Sequence, residues 1–144
     1  MKFKDNFFID KENFMVINTF RIYYLITFIL SFIITEIGRN IYRPFIYKNN
    51  IYDYGIADSI GNLGGIIVQI FFGLAIFNPT RKKGIRLIVF FSLGYILYEI
   101  IQPVLPKGVF DWKDIYGTFV GTILGLILFI IINSYGNNKI IKRF

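Results

Sequence analysis

The sequence predicts an all-α membrane protein of four transmembrane helices, arranged as two tandem helix-loop-helix repeats with both termini cytoplasmic. Three observations carry that prediction. Apolar residues make up 55% of the chain and charged residues only 17%, below the quarter usual in soluble domains. Four stretches come close to the roughly 20 apolar residues that a helix needs to cross a bilayer. Lysine and arginine fall unevenly about those stretches. The length of 144 residues is that of one domain, and the apolar excess excludes disorder.

Residues 1–19 form a cytoplasmic or interfacial segment. It mixes Lys2, Lys4, Asp5, Asp10, Lys11 and Glu12 with Phe7, Phe8, Phe14 and Val16. That pattern lacks the clean apolar run and cleavage site of a secretory signal. It reads either as an amphipathic helix on the membrane surface or as a polar tail. The membrane domain is residues 20–134. Its first span is 20–38, uncharged from Ile22 to Thr35; the second is 58–77. The third is 85–102, with Glu99 inside it, and the fourth is 114–134. The first and third are short unless Arg21 and Arg86 snorkel. Between the second and third spans, N-P-T-R-K-K-G at 78–84 has turn chemistry. Residues 135–144 make a basic cytoplasmic tail.

Eleven of the sixteen Lys and Arg residues lie on the side of the termini and the 78–84 turn. The other five are Arg39, Arg43, Lys48, Lys107 and Lys113. The excess marks the cytoplasmic side and places loops 39–57 and 103–113 outside. The net charge of +7 is thus accounted for by topology and argues for no nucleic-acid partner. Cysteine and histidine are both absent. Disulfides, thiol nucleophiles, His-ligated zinc and the Ser-His-Asp triad are excluded with them.

The acids suggest where a site lies. Beyond the N-terminal segment there are six: Glu36, Asp53, Asp58, Glu99, Asp111 and Asp114. On this topology all six stand at or near the outer face, where ionisable groups at membrane depth are costly and face an interior or a cavity. Asp58 and Asp114 open helices, so N-capping competes with a functional role for each. Glu36 and Glu99 end helices, where the macrodipole disfavours an anion; function is the better reading for Glu99. The halves also resemble each other. Asp58, Gly61 and Gly65 match Asp114, Gly117 and Gly121 as D-x-x-G-x-x-x-G, with Tyr52-Asp53 and Phe110-Asp111 ahead of them. Glycines spaced by four share a helix face and permit close approach, which predicts that the second and fourth spans are neighbours.

Glu99-Ile100-Ile101-Gln102, then Phe110-Asp111-Trp112-Lys113-Asp114-Ile115, then Gly117 and Gly121, resemble the VanZ-like family of small membrane proteins. The family pattern is a helix ending in E-x-x-Q, a loop with a basic residue before F-D-x-x-D, and a Gly-containing helix. Thr118, and Asn62 in the first half, fill the place before its second glycine. The match spans residues 95–125. The family's Arg before F-D is missing here; Lys107 is the nearest cation, and Arg43 is the candidate substitute. The resemblance implies a role at the cell envelope and a link to resistance to teicoplanin, a glycopeptide antibiotic. It carries no reaction with it.

The candidate site is therefore Glu99, Gln102, Asp111, Asp114, Glu36, Asp58, Arg43 and Lys107. The leading reading is a protein of the bacterial cytoplasmic membrane that binds a lipid, a lipid-linked precursor or the antibiotic in an outward acidic cleft. Cations would meet an anionic head group, and the carboxylates and Gln102 its other polar parts. The second reading is a membrane enzyme acting on a phospholipid or polyprenyl phosphate, its carboxylates holding Mg²⁺ or Mn²⁺ or serving as acid and base. The third is a proton- or cation-coupled transporter subunit, which with four helices requires a homo-oligomer. The fourth is a partner-binding subunit without a small ligand. No cofactor is indicated.

Overall fold

The computed structural model describes residues 16–106 and 108–141, with side chains described as far as Tyr135. The readings of residues 1–15, Lys107 and the last three residues lie outside it. The described chain is helical, with four helices long and apolar enough to cross a membrane. Helix α1 is Thr19–Ile37; a π-turn at Gly38–Tyr42 joins it to α2, Arg43–Lys48. Helices α3, Ile56–Phe77, α4, Arg81–Ile101, and α5, Trp112–Ile141, follow, with a 3-10 turn at Gln102–Val104.

Three boundaries differ from the sequence reading. The first span runs on as one helical rod, Thr19–Lys48, so residues 39–48 are not a loop. Pro44 begins this change. Its ring excludes the carbonyl four residues back and it brings no N–H. The π-turn just upstream, in which the Arg43 N–H reaches the Gly38 carbonyl, accommodates that defect. The basic turn shrinks to Asn78, Pro79 and Thr80. Asn78 takes the left-handed conformation (φ 41°) and its N–H returns to the Leu74 carbonyl. Arg81, Lys82 and Lys83, all good helix formers, are already the first turn of α4. Finally, α5 continues to Ile141, through much of the expected tail.

Arg21 is bound to the end of a neighbouring helix. Its Nε donates to the Ala75 carbonyl at 2.8 Å and Nη2 to Ile76 at 3.4 Å. A cation there satisfies free carbonyls at the negative end of α3.

Helix α3 is the centre of the bundle. It packs most extensively on α5, then on α1, and less on α4. Ile66, Ile70, Phe71 and Leu74 of α3 are fully buried and share the core with Tyr24, Leu87, Ile88 and Phe129. The expected neighbours, α3 and α5, run parallel. A Cβ on Gly117 would lie 2.8 Å from the Ser59 carbonyl oxygen, one on Gly121 would strike Leu63 O and Ile66, and one on Gly125 would meet Ile70 at 3.0 Å. The glycine stripe of α5 is thus a seat for α3.

The matching stripe on α3 is not. A Cβ on Gly61 meets nothing within 4 Å, Gly65 faces Tyr95 of α4, and Gly64 faces Thr35 of α1. What meets the α5 glycines is Ser59, Leu63, Ile66 and Ile70. One glycine face is enough for two backbones to approach when the other helix fills it with knobs.

The outer surface of the bundle is a continuous field of exposed Ile, Leu, Phe and Val, among them Ile34, Phe90, Leu93, Phe119 and Ile127. In water that surface would be a severe liability; a lipid bilayer solvates it.

Candidate functional site

Antiparallel packing of successive helices brings the end of α1, the start of α3, the end of α4 and the start of α5 together. The six acids counted from the sequence share this end of the bundle. Their roles there are unequal.

Capping falls to Asp53 and Asp111. Asp53 accepts from the N–H groups of Gly55 at 3.0 Å and Ala57 at 2.6 Å, so it closes the first turn of α3. Gly55 is the N-cap position, left-handed at φ 83°, and offers no side chain for the purpose. Asp111 Oδ1 accepts from the Lys113 N–H at 2.9 Å at the start of α5. Asp58 and Asp114 lie within the first turns of their helices and are relieved of capping. The cap reading therefore moves from them to their upstream partners, because an N-cap needs the non-helical residue ahead of the first turn. Asp53→Ala is expected to lower stability by about 1 kcal/mol or more, read as a fall in detergent melting temperature. Asp114→Asn should leave it unchanged.

Asp58 is at the centre of an exposed cluster. Lys113 Nζ lies 2.5 Å from its Oδ2, and the Tyr47 hydroxyl donates to Oδ1. Arg43 Nε donates to the Tyr47 oxygen at 3.2 Å, and its guanidinium sits 5.4 Å from the Tyr47 ring centroid. The stem of Lys113 passes over Gly55. These contacts tie α2, α3 and α5 together at the rim. Arg43 also acts through its charge on both Asp58 and Asp114. The two cations are thus already engaged with the protein's own groups.

Glu99 is the exception among the acids. It is 2% exposed, although it stands at the last turn of α4. Asn62 of α3 donates to its Oε1 at 2.9 Å. In the amide orientation that satisfies both of its polar atoms, Gln102 donates to Oε2 at 3.3 Å and to the Val109 carbonyl. Among the described residues two amides, and no cation, hold this carboxylate. Asp111 and Asp114 are its charged neighbours, and Asp114 has no hydrogen-bond donor among the described residues. Neither do three or more acidic groups come close enough, among the described residues, to hold a metal ion.

A groove of about 450 Å³ opens beside Glu99 between α3 and α4, lined by Asn62, Gly94, Tyr95, Tyr98 and Glu99. Gly94 widens it, since a Cβ there would meet nothing within 4 Å. Deeper in the bundle, Ser92 and Thr122 hydroxyls meet at 2.9 Å. Thr118, one turn from Thr122 and fully buried, has an unpartnered hydroxyl.

The structure brings together Glu99 and Gln102, with Asp111 and Asp114 near them, and separately Asp58 with Arg43. It leaves Glu36 apart: that carboxylate pairs with Arg39 at 3.3 Å and Asn40 at 2.9 Å on the surface of its own helix. Tyr95 and Tyr98 were not singled out from the sequence, and Asn62 was noted there only as the first-half counterpart of Thr118, not as a partner of Glu99. Asn62 carried a signal, being a strong donor inside an otherwise apolar span.

Fold and site together define a multi-helix membrane protein with a mainly apolar groove built around one buried carboxylate. No family model, curated protein or solved structure matches the chain.

Proposed function

We propose that the chain is a VanZ-like integral membrane protein of the bacterial cell envelope, and that its α3–α4 groove binds a lipid, a lipid-linked precursor or an amphiphilic glycopeptide such as teicoplanin. The observation that carries this reading is Glu99: a carboxylate nearly removed from solvent, held by two amides with no cation beside it among the described residues, at the wall of a groove in the spanning region. Such a group is costly to keep and is a functional candidate by default. A pocket of mainly apolar walls with few placed polar groups is the usual form of a small-molecule site. Asn62 and Gln102 fix the Glu99 oxygens as acceptors, Tyr95 and Tyr98 add aromatic walls, and the flanking surface is suited to acyl chains. Arg43 and Lys113 are engaged with Tyr47 and Asp58, so recognition rests on hydroxyl or amine protons of the ligand rather than on an anionic group.

Gly94→Leu tests the groove. The new side chain has room in the fold and would occupy the space a ligand needs. Native mass spectrometry of the purified protein should show copurified lipid in the wild type and its loss in Gly94→Leu, with equal melting temperatures. Equal lipid content in both would place the ligand elsewhere.

In this reading the acidic end faces outward. The excess of Lys and Arg at the other end supports it. Alkaline phosphatase fused after Asn50, in the short loop between α2 and α3, should be active, and fused after Lys82 inactive. Activity at Lys82 would reverse the orientation.

A further inference from the structure

The opposite, basic end of the bundle holds a second cavity, of about 290 Å³, lined among others by Asn18, Tyr24, Asn78, Thr80, Arg81 and Asn133. It lies where the α3–α4 turn meets the start of α1 and the later turns of α5. Its floor is polar although buried: Tyr24 is 1%, Asn78 2% and Asn133 8% exposed. The Asn133 amide is fixed by two donations from Nδ2, to the Phe129 carbonyl at 2.8 Å and to the Tyr24 hydroxyl oxygen at 3.0 Å. Tyr24 therefore accepts there, and its own O–H proton has no acceptor among the described residues. That proton is available to an occupant of the cavity that offers an acceptor.

The rim shows which acceptor. Thr80 stands at the N-cap of α4 but makes no side-chain hydrogen bond to its first turn. The positive end of a 21-residue helix thus opens beside the cavity without a side-chain cap from Thr80. Arg81 lines the cavity and is exposed. Lys82 follows it, exposed but not among the lining residues. Among the described residues no carboxylate lines the cavity.

We propose that this cavity binds a phosphate group, with Arg81 and the first N–H groups of α4 on its oxygens and the Tyr24 O–H donating from the floor. Phosphate suits a guanidinium and a helix N-terminus together, by charge and by donor geometry. At the end of a membrane bundle the phosphate comes either from a lipid head group or from solution. This site is independent of the Glu99 groove, which lies at the other end of the same helices.

The full-length protein in detergent is titrated with dioctanoyl phosphatidylglycerol, with dioctanoylglycerol as the phosphate-free counterpart, and with inorganic phosphate as competitor, each read by native mass spectrometry. In Glu99→Gln, whose groove no longer retains a ligand, phosphatidylglycerol should bind and dioctanoylglycerol should not. Arg81→Gln and the isosteric Tyr24→Phe should each weaken binding about tenfold, a loss of about 1.4 kcal/mol. Lys82→Gln, which removes the same charge beside the cavity, should change it less than about twofold (under roughly 0.4 kcal/mol). Measuring in the Glu99→Gln background, which silences the groove but leaves the basic end intact, keeps failure of the groove reading and failure of this one separable. Displacement by inorganic phosphate assigns a soluble source, and resistance to it assigns the lipid head; either upholds a phosphate site. Equal binding of dioctanoylglycerol, equal loss in Arg81→Gln and Lys82→Gln, or no loss in Arg81→Gln and Tyr24→Phe would overturn it.

Discussion

Gly121→Leu is expected to open the centre of the bundle and lower the detergent melting temperature by roughly 10 °C. A Cβ at Gly121 already falls against the Leu63 carbonyl oxygen and the Ile66 side chain. Four added carbons must then push α5 from α3, since the obstacle is backbone and cannot rotate aside. Overpacking at a rigid contact costs about 3 kcal/mol or more, and in a chain of this size each kcal/mol moves the midpoint by about 3 °C. Separation of α3 and α5 would also loosen Asn62 from Glu99, so lipid retention should fall with stability. Ile127→Leu, in the same helix but 47% exposed, should shift the midpoint by less than about 2 °C. Similar small shifts in both would mean that the glycine stripe of α5 is not the packing surface.

Glu99→Gln is expected to give the opposite pattern, a protein that melts like the wild type but no longer retains its ligand. The amide keeps the length and shape of the carboxylate. Its oxygen still accepts from Asn62, and only the long 3.3 Å contact with Gln102 is given up. What is lost is an acceptor held toward the groove. Hydrogen bonds to a charged group contribute about 1.5–3 kcal/mol, so ligand affinity should fall about ten- to a hundredfold. Copurified lipid by native mass spectrometry is the readout, with melting temperature as control. A Glu99→Gln protein that carries its full complement of lipid would reduce this carboxylate to a structural role.

These two variants separate what a hydropathy pattern can say from what it cannot. Gly121 and Glu99 were both visible as candidates, for sound reasons: small residues at spacing four, and an acid inside an apolar span. Their partners were not visible. Gly61 and Gly65 repeat the spacing of Gly117 and Gly121, yet only the α5 set faces the neighbouring helix backbone. Spacing defines a face but not its direction, and direction follows from how all four helices pack. Asp58 and Asp114 read as caps by position, whereas capping belongs to Asp53 and Asp111, because the helix begins where the left-handed Gly55 allows it. The same limit applies to α2, where the end of the apolar span suggested a loop and a π-turn carried the helix onward.

The sequence by itself determined the class of protein, the four spanning segments and the gathering of acids at one end and bases at the other. Hydrophobic length and charge position are one-dimensional quantities, and a bilayer reads them directly. Only the tertiary structure decided that Glu99 is buried against Asn62, 37 residues away, that Lys113 joins Asp58 across 55 residues, and that Glu36 stays on its own helix. It also decided that Tyr24 and Asn133, 109 residues apart, floor a cavity at the basic end. Such pairings depend on the rotation of each helix about its axis. That rotation is set by close packing, glycine seat against apolar knob, and no single segment contains it.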